Sequence, residues 1–164
     1  RLGNVILPSD FEELHEINRV VGSVEAAVYH QDMFAKNAHR YRPKLHAMIE
    51  SGLSIPGYEY AYALRRRLEL RASAAPLFDQ FDVLITPGAP STAPCDISFT
   101  GNAVMNRPWT TLGIPAISLP SGLAASGLPM GVQLVGGPRG EARLLAVARW
   151  CEQILDVHLS PQLN

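Results

Sequence analysis

Between residues 9 and 86 the apolar positions recur at three- and four-residue steps. Leu14, Ile17, Val21, Val24 and Val28 define one face of a first helix. Ser9 or Asp10 can cap it. Glu12 or Glu13 then falls in the first turn, where a carboxylate meets the positive end of the helix dipole. Ser51-Gly52 is expected to break the next helical stretch, and Pro56-Gly57 to reinforce the break. Tyr60, Ala63, Leu64, Leu68 and Leu70 mark a further helix that runs into Pro76 and Leu77–Phe81.

The pattern changes after residue 86. Residues 87–138 hold 8 of the 13 prolines and 8 of the 13 glycines, with only two charged side chains, Asp96 and Arg107. A long surface helix is excluded, and clusters of Val, Ile and Leu argue against a disordered linker. Three apolar runs are bounded by Gly or Pro: Val83–Ile85, Ala116–Leu119 and Val132–Val135. Each suits a mostly buried strand, and all three are expected in one sheet covered on both faces. Glu141–Leu155 reads as a closing helix packed on that sheet. Leu144, Val147, Ala148, Cys151, Ile154 and Leu155 form its apolar stripe. The order of elements predicts an α/β layer structure. A helical half covers about 9–80, a loop-and-strand half about 81–138, and the closing helix about 141–155.

Composition narrows the function classes. The 164 residues suffice for one domain with a sizeable core. Charged residues make up 18%, against a usual value of about 25%. The net charge of -1 offers no field for a polyanion, so no nucleic-acid partner is expected. No apolar run approaches the ~18 residues of a membrane span, and no membrane partner is expected. No secretory leader is recognisable, although residue 1 is Arg rather than Met and the numbering can begin inside a longer gene product. Cys95 and Cys151 form neither a CxxC motif nor a disulfide framework, and a reducing cytoplasm is the simplest reading.

The search for catalytic chemistry is mostly negative. His15-Glu16 begins like a zinc-protease helix, but the second histidine should stand at Arg19. The remaining histidines show no metal-ligand spacing, and no metal is expected. There is no GxSxG elbow, since Ser121 sits in Pro-Ser-Gly. There is no SxxK, because Met33 and Tyr41 stand three residues before the only lysines, Lys36 and Lys44. Arg65-Arg66-Arg67 is more simply an exposed helix face, with Arg65 four residues from Glu69, than a nucleic-acid patch. Uncharged Pro/Gly loops beside strand ends remain good walls for a pocket taking a neutral ligand, with plain structural packing as the alternative.

The run Phe81-Asp82-Val83-Leu84-Ile85-Thr86-Pro87 resembles a strand of the amidase-signature enzymes. The resemblance continues through Gly113-Ile114-Pro115-Ala116-Ile117-Ser118-Leu119-Pro120-Ser121-Gly122 and Gly127-Leu128-Pro129-Met130-Gly131-Val132-Gln133-Leu134-Val135-Gly136. Glu141, Leu144 and Leu145 follow. Upstream, Glu25-Ala26-Ala27, His30, Gly52, Tyr60, Ala63 and Arg67 fit as well. The ordered set is similar to the C-terminal portion of that family. It implies the C-terminal part of the amidase-signature fold, a mixed β-sheet flanked by helices. It also implies hydrolysis of a small amide by a Ser–cis-Ser–Lys triad, with oxyanion donors and no metal or organic cofactor. The Gly/Ser-rich signature that carries the triad is not in this sequence, so no catalytic residue is assigned within it.

Two departures bear on substrate. Thr110 and Thr111 stand where members often have Asn before the Gly-x-Pro segment. Related glutamine amidotransferases hold the substrate amine with an Asp near the position of Asn102-Ala103, and no acid is there. An amidase is therefore the favoured reading. A non-catalytic fragment or subunit, or part of an A-type amidotransferase subunit, is the alternative. Thr86, Asn102, Asn106 and Trp109 are expected to line the substrate cleft of the complete enzyme: Thr86 closes a strand, the Asn amides both donate and accept, and Trp109 offers a rigid wall. For Trp109 the alternative is plain core. A chain holding part of a sheet should also expose apolar surface, and is expected to pair with its missing N-terminal portion or form a homo-oligomer.

Overall fold

The computed structural model describes residues 2–158 and residue 160. The chain divides into two compact units. One is Ile6–Arg71; the other runs from Ala72 onward and includes the N-terminal stretch to Val5.

The first unit is helical. A 3-10 turn at Ser9–Glu12 leads into α1 (Glu13–Asn37), followed by α2 (Pro43–Ser54) and the start of α3 (Gly57–Ala74). Neither Ser9 nor Asp10 caps α1 through its side chain. Asp10 instead accepts a hydrogen bond from Arg66 of α3 at 2.8 Å. The Arg66 guanidinium also grips Glu13 through both carboxylate oxygens, at 2.7 and 3.0 Å, and reaches Glu69 at 3.1 Å. A planar fork of donors is suited to this, and it ties α3 to the start of α1.

Leu14, Ile17 and Val21 are buried along α1, as the periodicity predicts, and Val20 is buried with them, but Val24 is only half-buried and Val28 is 67% exposed. Farther along the helix the buried face turns to Ser23 and Ala27. The cause is Gly52. It does not break a helix; it lies inside α2, which continues to Ser54. A Cβ there would run into the Ser23 carbonyl and stand 2.9 Å from the Ala27 methyl. Small residues on both helices thus allow the backbones to approach, and packing overrides the weak helix propensity of glycine.

The second unit holds the sheet: β1 (Leu84–Pro87), β2 (Ala116–Leu123) and β3 (Pro129–Val135), in the order β1-β3-β2. The short α4 (Leu77–Gln80) precedes β1, and α5 (Arg107–Leu112) precedes β2. All three expected runs are strands, although Val83 falls just before β1. Both pairings are antiparallel, so these strands contribute no parallel pair to a mixed sheet. β2 continues through Pro120 and a register shift before Gly122. It is an outer strand, where a missing N–H is tolerated.

The register puts Leu134, Ile117, Val132 and Leu119 on one face, against α6 (Glu141–Leu155). Leu119, Leu134, Leu144 and Ala148 form the core there, flanked by Val147 and Cys151. Along α6 Leu145, Trp150 and Ile154 are exposed, Ile154 against its expected place in the apolar stripe, because that stripe packs through Leu144, Val147, Ala148 and Cys151. Ile85 on the outer strand β1 is exposed as well. Among the described residues no helix is long and apolar enough to cross a membrane.

Candidate functional site

The opposite sheet face is polar where the strands end. Thr86, Gln133 and Ser118 lie side by side across β1, β3 and β2. Gln133 is only 5% exposed, and a buried amide needs partners. Its Nε2 donates to the Thr86 hydroxyl at 3.1 Å and to the Met105 carbonyl at 3.0 Å. One side chain therefore fixes the Thr86 hydroxyl and anchors the 103–105 turn to the sheet.

Beyond this row a concavity of about 790 Å³ opens between the end of β1, the loop that follows it and the β2–β3 pair. Gly88 and Gly131 form its floor. The Gly88 N–H donates to the Gly131 carbonyl at 2.9 Å. A Cβ on Gly88 would stand 3.0 Å from that carbonyl oxygen and 3.1 Å from Ser118 Oγ. The two glycines keep the backbones close and leave room above them. Thr86, Ser118 and Ser121 bring hydroxyls to the walls, Pro87, Pro90 and Val132 bring apolar surface, and no lining residue is charged. Such a lining hydrogen-bonds a neutral polar group and offers nothing to balance an ion.

Of the residues expected to bind substrate, only Thr86 lines this concavity. Its hydroxyl donates to the Pro87 carbonyl at 3.2 Å while accepting from Gln133. Asn102 and Asn106 are exposed. The Asn102 side-chain oxygen accepts from the Val104 N–H at 3.0 Å and so caps the 103–105 turn. Asn106 starts α5. Trp109 is 3% exposed, a core position within α5. That helix ends on Gly113 in the left-handed region (φ 64°), where glycine carries no Cβ penalty. Thr111, one of the two threonines that depart from the family pattern, is buried and donates to the Arg107 carbonyl at 2.7 Å. Gln133 thus links Thr86 to the segment carrying the other three residues, without placing them in the same wall.

Sequence reasoning missed Gln133, Ser118 and Ser121. The available signal was Gln133 itself: a lone amide in the apolar run Gly131-Val132-Gln133-Leu134-Val135 must find partners if the strand is buried.

A profile of the amidase family matches residues 4–145. AmiD of Mycobacterium tuberculosis is 32% identical over 146 residues, covering 83% of this chain and 31% of that protein. The 2-amino-5-chloromuconic acid deaminase of Comamonas testosteroni is 34% identical over 159 residues, covering 88% of this chain and 34% of its own length. The A-type subunit of the glutamyl-tRNA(Gln) amidotransferase of Gluconobacter oxydans is 30% identical, covering 100% of this chain and 32% of that protein. The chain therefore spans about a third of the length of these relatives. A crystal structure of an amidase shares the fold, with a TM-score of 0.82 at 23% identity over 90% of this chain and 37% of the other.

Proposed function

The chain belongs to the amidase-signature family, and from that premise we propose that it is the C-terminal portion of an enzyme hydrolysing a small neutral amide. The observation that carries this reading is the uncharged concavity at the end of β1, walled by hydroxyls and apolar side chains. An amide is neutral and both donates and accepts hydrogen bonds. Thr86, Ser118 and Ser121 can meet it without desolvating a charge. In the complete enzyme the Ser–cis-Ser–Lys machinery lies upstream of this segment, and no metal or organic cofactor is used. This chain supplies a wall of the cleft through Thr86. Asn102 and Asn106 would reach the cleft only from beyond this concavity in the complete enzyme, with Trp109 packing the core of the segment that Gln133 ties to Thr86 through the Met105 carbonyl. The enzyme works in the cytoplasm.

A second reading, part of an A-type glutamine amidotransferase subunit, is favoured by the match of the Gluconobacter protein across the whole of this chain. The missing acid at Asn102-Ala103 weighs against it.

The purified chain alone should hydrolyse no amide, because a triad removed entirely leaves at best weak residual catalysis. The assay is release of ammonia or amine from a panel of neutral amides. Turnover above that of buffer would overturn the assignment of the catalytic groups. The coding sequence upstream of Arg1 should contain an in-frame Gly/Ser-rich signature. A start codon directly before Arg1, with no signature-bearing partner gene nearby, would favour a non-catalytic role. The exposed Leu145, Trp150, Ile154 and Ile85 also make the chain a poor monomer. Light scattering at micromolar concentration should find oligomers or capture of the missing portion, and a clean monomer would count against that.

A further inference from the structure

The connection between α1 and α2 in the helical unit has features that neither packing nor the amide reading uses. His30 and Met33 of α1, Arg40, Tyr41 and Arg42 of the connection, and Leu45 of α2 surround a second concavity of about 470 Å³. Residues 36–46 contain Lys36, Arg40, Arg42 and Lys44 and no carboxylate, in a chain whose net charge is -1. Elsewhere in this unit Arg19, Arg65 and Arg66 each meet a glutamate. Among the described residues Arg40 and Arg42 make no such ion pair; Arg67 and Arg71 make none either, but Arg40 and Arg42 both line this concavity.

The wall behind them is held in place. The Tyr41 hydroxyl and His30 Nδ1 are hydrogen-bonded at 3.0 Å. The His30 and Tyr41 rings meet edge to face with centroids 5.4 Å apart, Phe34 meets Tyr41 at 5.2 Å, and Phe34 meets His46 at 4.9 Å. This chain of rings fixes the connection to both helices. Met33 and Leu45 leave apolar surface exposed at its rim. The site thus presents two guanidinium forks beside a rigid aromatic and apolar wall.

We propose that this connection binds a small organic carboxylate carrying an aromatic or unsaturated body. A guanidinium takes a carboxylate through two parallel hydrogen bonds, and the body gains from burial against ring and thioether. An anion without a body would lose the second contribution. A neutral amide of the same shape would lose the first. The inference rests on the helical unit alone and does not depend on the amide reading.

A ligand-observed NMR titration of this chain at low salt tests it, with benzoate, benzamide and inorganic phosphate as probes. Benzoate should bind saturably, with benzamide and phosphate each about tenfold weaker or worse. The double substitution Arg40→Ala, Arg42→Ala should weaken benzoate by about tenfold or more, and Arg65→Ala should leave it unchanged. Benzamide binding as well as benzoate would remove the role of the charge. Phosphate binding as well would reduce the site to a non-specific basic patch. Undiminished benzoate binding by the double variant, or no saturable binding at all, would also overturn the proposal. If the double variant fails to fold, the comparison of the three probes on the unaltered chain still decides. The ammonia-release assay on the chain is a separate readout, so the two proposals fail independently.

Discussion

In the helical unit the tie between α3 and α1 is ionic, whereas in the strand-and-loop unit the buried tie across the sheet is neutral and the Arg143–Asp82 ion pair, at 3.3 Å, stays exposed. Arg66 holds α3 to the start of α1 through Asp10 and Glu13. Gln133 holds β3 to β1 and to the 103–105 turn through an amide, a hydroxyl and a carbonyl. The sequence explains the choice. Residues 6–71 carry nine acids and nine bases, while residues 87–138 carry one of each. Charges on exposed helix faces pair cheaply, in water, at three- and four-residue steps. A strand covered by its neighbours cannot admit a charge, so its ties are uncharged groups that each require a partner. The difference teaches where a neutral cleft can be built: the unit whose polar groups are already neutral and oriented is the one with a concavity free of charge.

If that comparison is right, the two units should fail by different means, and separate probes can follow them. Both tryptophans, Trp109 and Trp150, lie in the strand-and-loop unit, while the longest helices lie in the other. The largest effect should come from Leu134→Ala. Leu134 is 1% exposed in the central strand and packs in the core beneath α6. Its truncation should cost about 2–5 kcal/mol, read as a lowered denaturant midpoint by tryptophan fluorescence. A shift within error would mean that α6 does not depend on this core. Next comes Gly52→Ala in the helical unit. The added methyl meets the Ser23 carbonyl, a backbone atom that cannot rotate away. It should cost about 1–3 kcal/mol, seen by far-UV circular dichroism, despite the better helix propensity of alanine. Stabilisation instead would show that propensity, and not close packing, governs α2.

These cases also mark how far the sequence could be read. The three strands and α6 were legible because unbroken apolar runs between Gly and Pro leave few other structures open. Thr86 lies at the concavity because it closes such a run. Gly52 was not. Locally it signals a break, and only the approach of another helix, distant in sequence, gives it a place inside α2. Val28 was misplaced for the same reason, since a fixed helical period cannot anticipate a buried face that turns with its neighbour. The strand order β1-β3-β2 is likewise a non-local property. The close approach of Gly88, Gly131 and Ser118 at the concavity exists only once that order brings the three together. Trp109 was ambiguous because an aromatic residue serves a core and a wall equally well by composition.

The smallest effect should come from Arg66→Gln, and it tests the ionic half of the comparison through pH. Hydrogen bonding from Arg66, aided by its charge, holds the Glu13 carboxyl below its ordinary value near 4.5. A group lowered in the folded state stabilises fully above its unfolded value and loses that contribution as pH falls through the folded one. The thermal midpoint of the helical unit should therefore hold from neutrality down to about pH 4.5 and decline below it. Arg66 keeps its charge throughout, since its partners push its pKa further up, so the decline belongs to the carboxylates. Glu16 contributes to the same slope, because Arg19 lowers it in the same way. Arg66→Gln removes the Glu13 part and leaves the Glu16 part. The variant should start lower at neutral pH, decline less steeply, and approach the unaltered chain once the pH has fallen through the folded-state value of Glu13. The pairs are exposed, so the neutral-pH difference should be smaller than that from Gly52→Ala and should shrink further in high salt. Asp96 in the other unit is also held low, by the Ser98 hydroxyl and backbone N–H. Its response belongs to the tryptophan signal and should be the same in both chains. Two curves by circular dichroism that stay parallel into acid would show that Arg66 acts by packing its stem, and the ionic tie would lose its place in the comparison.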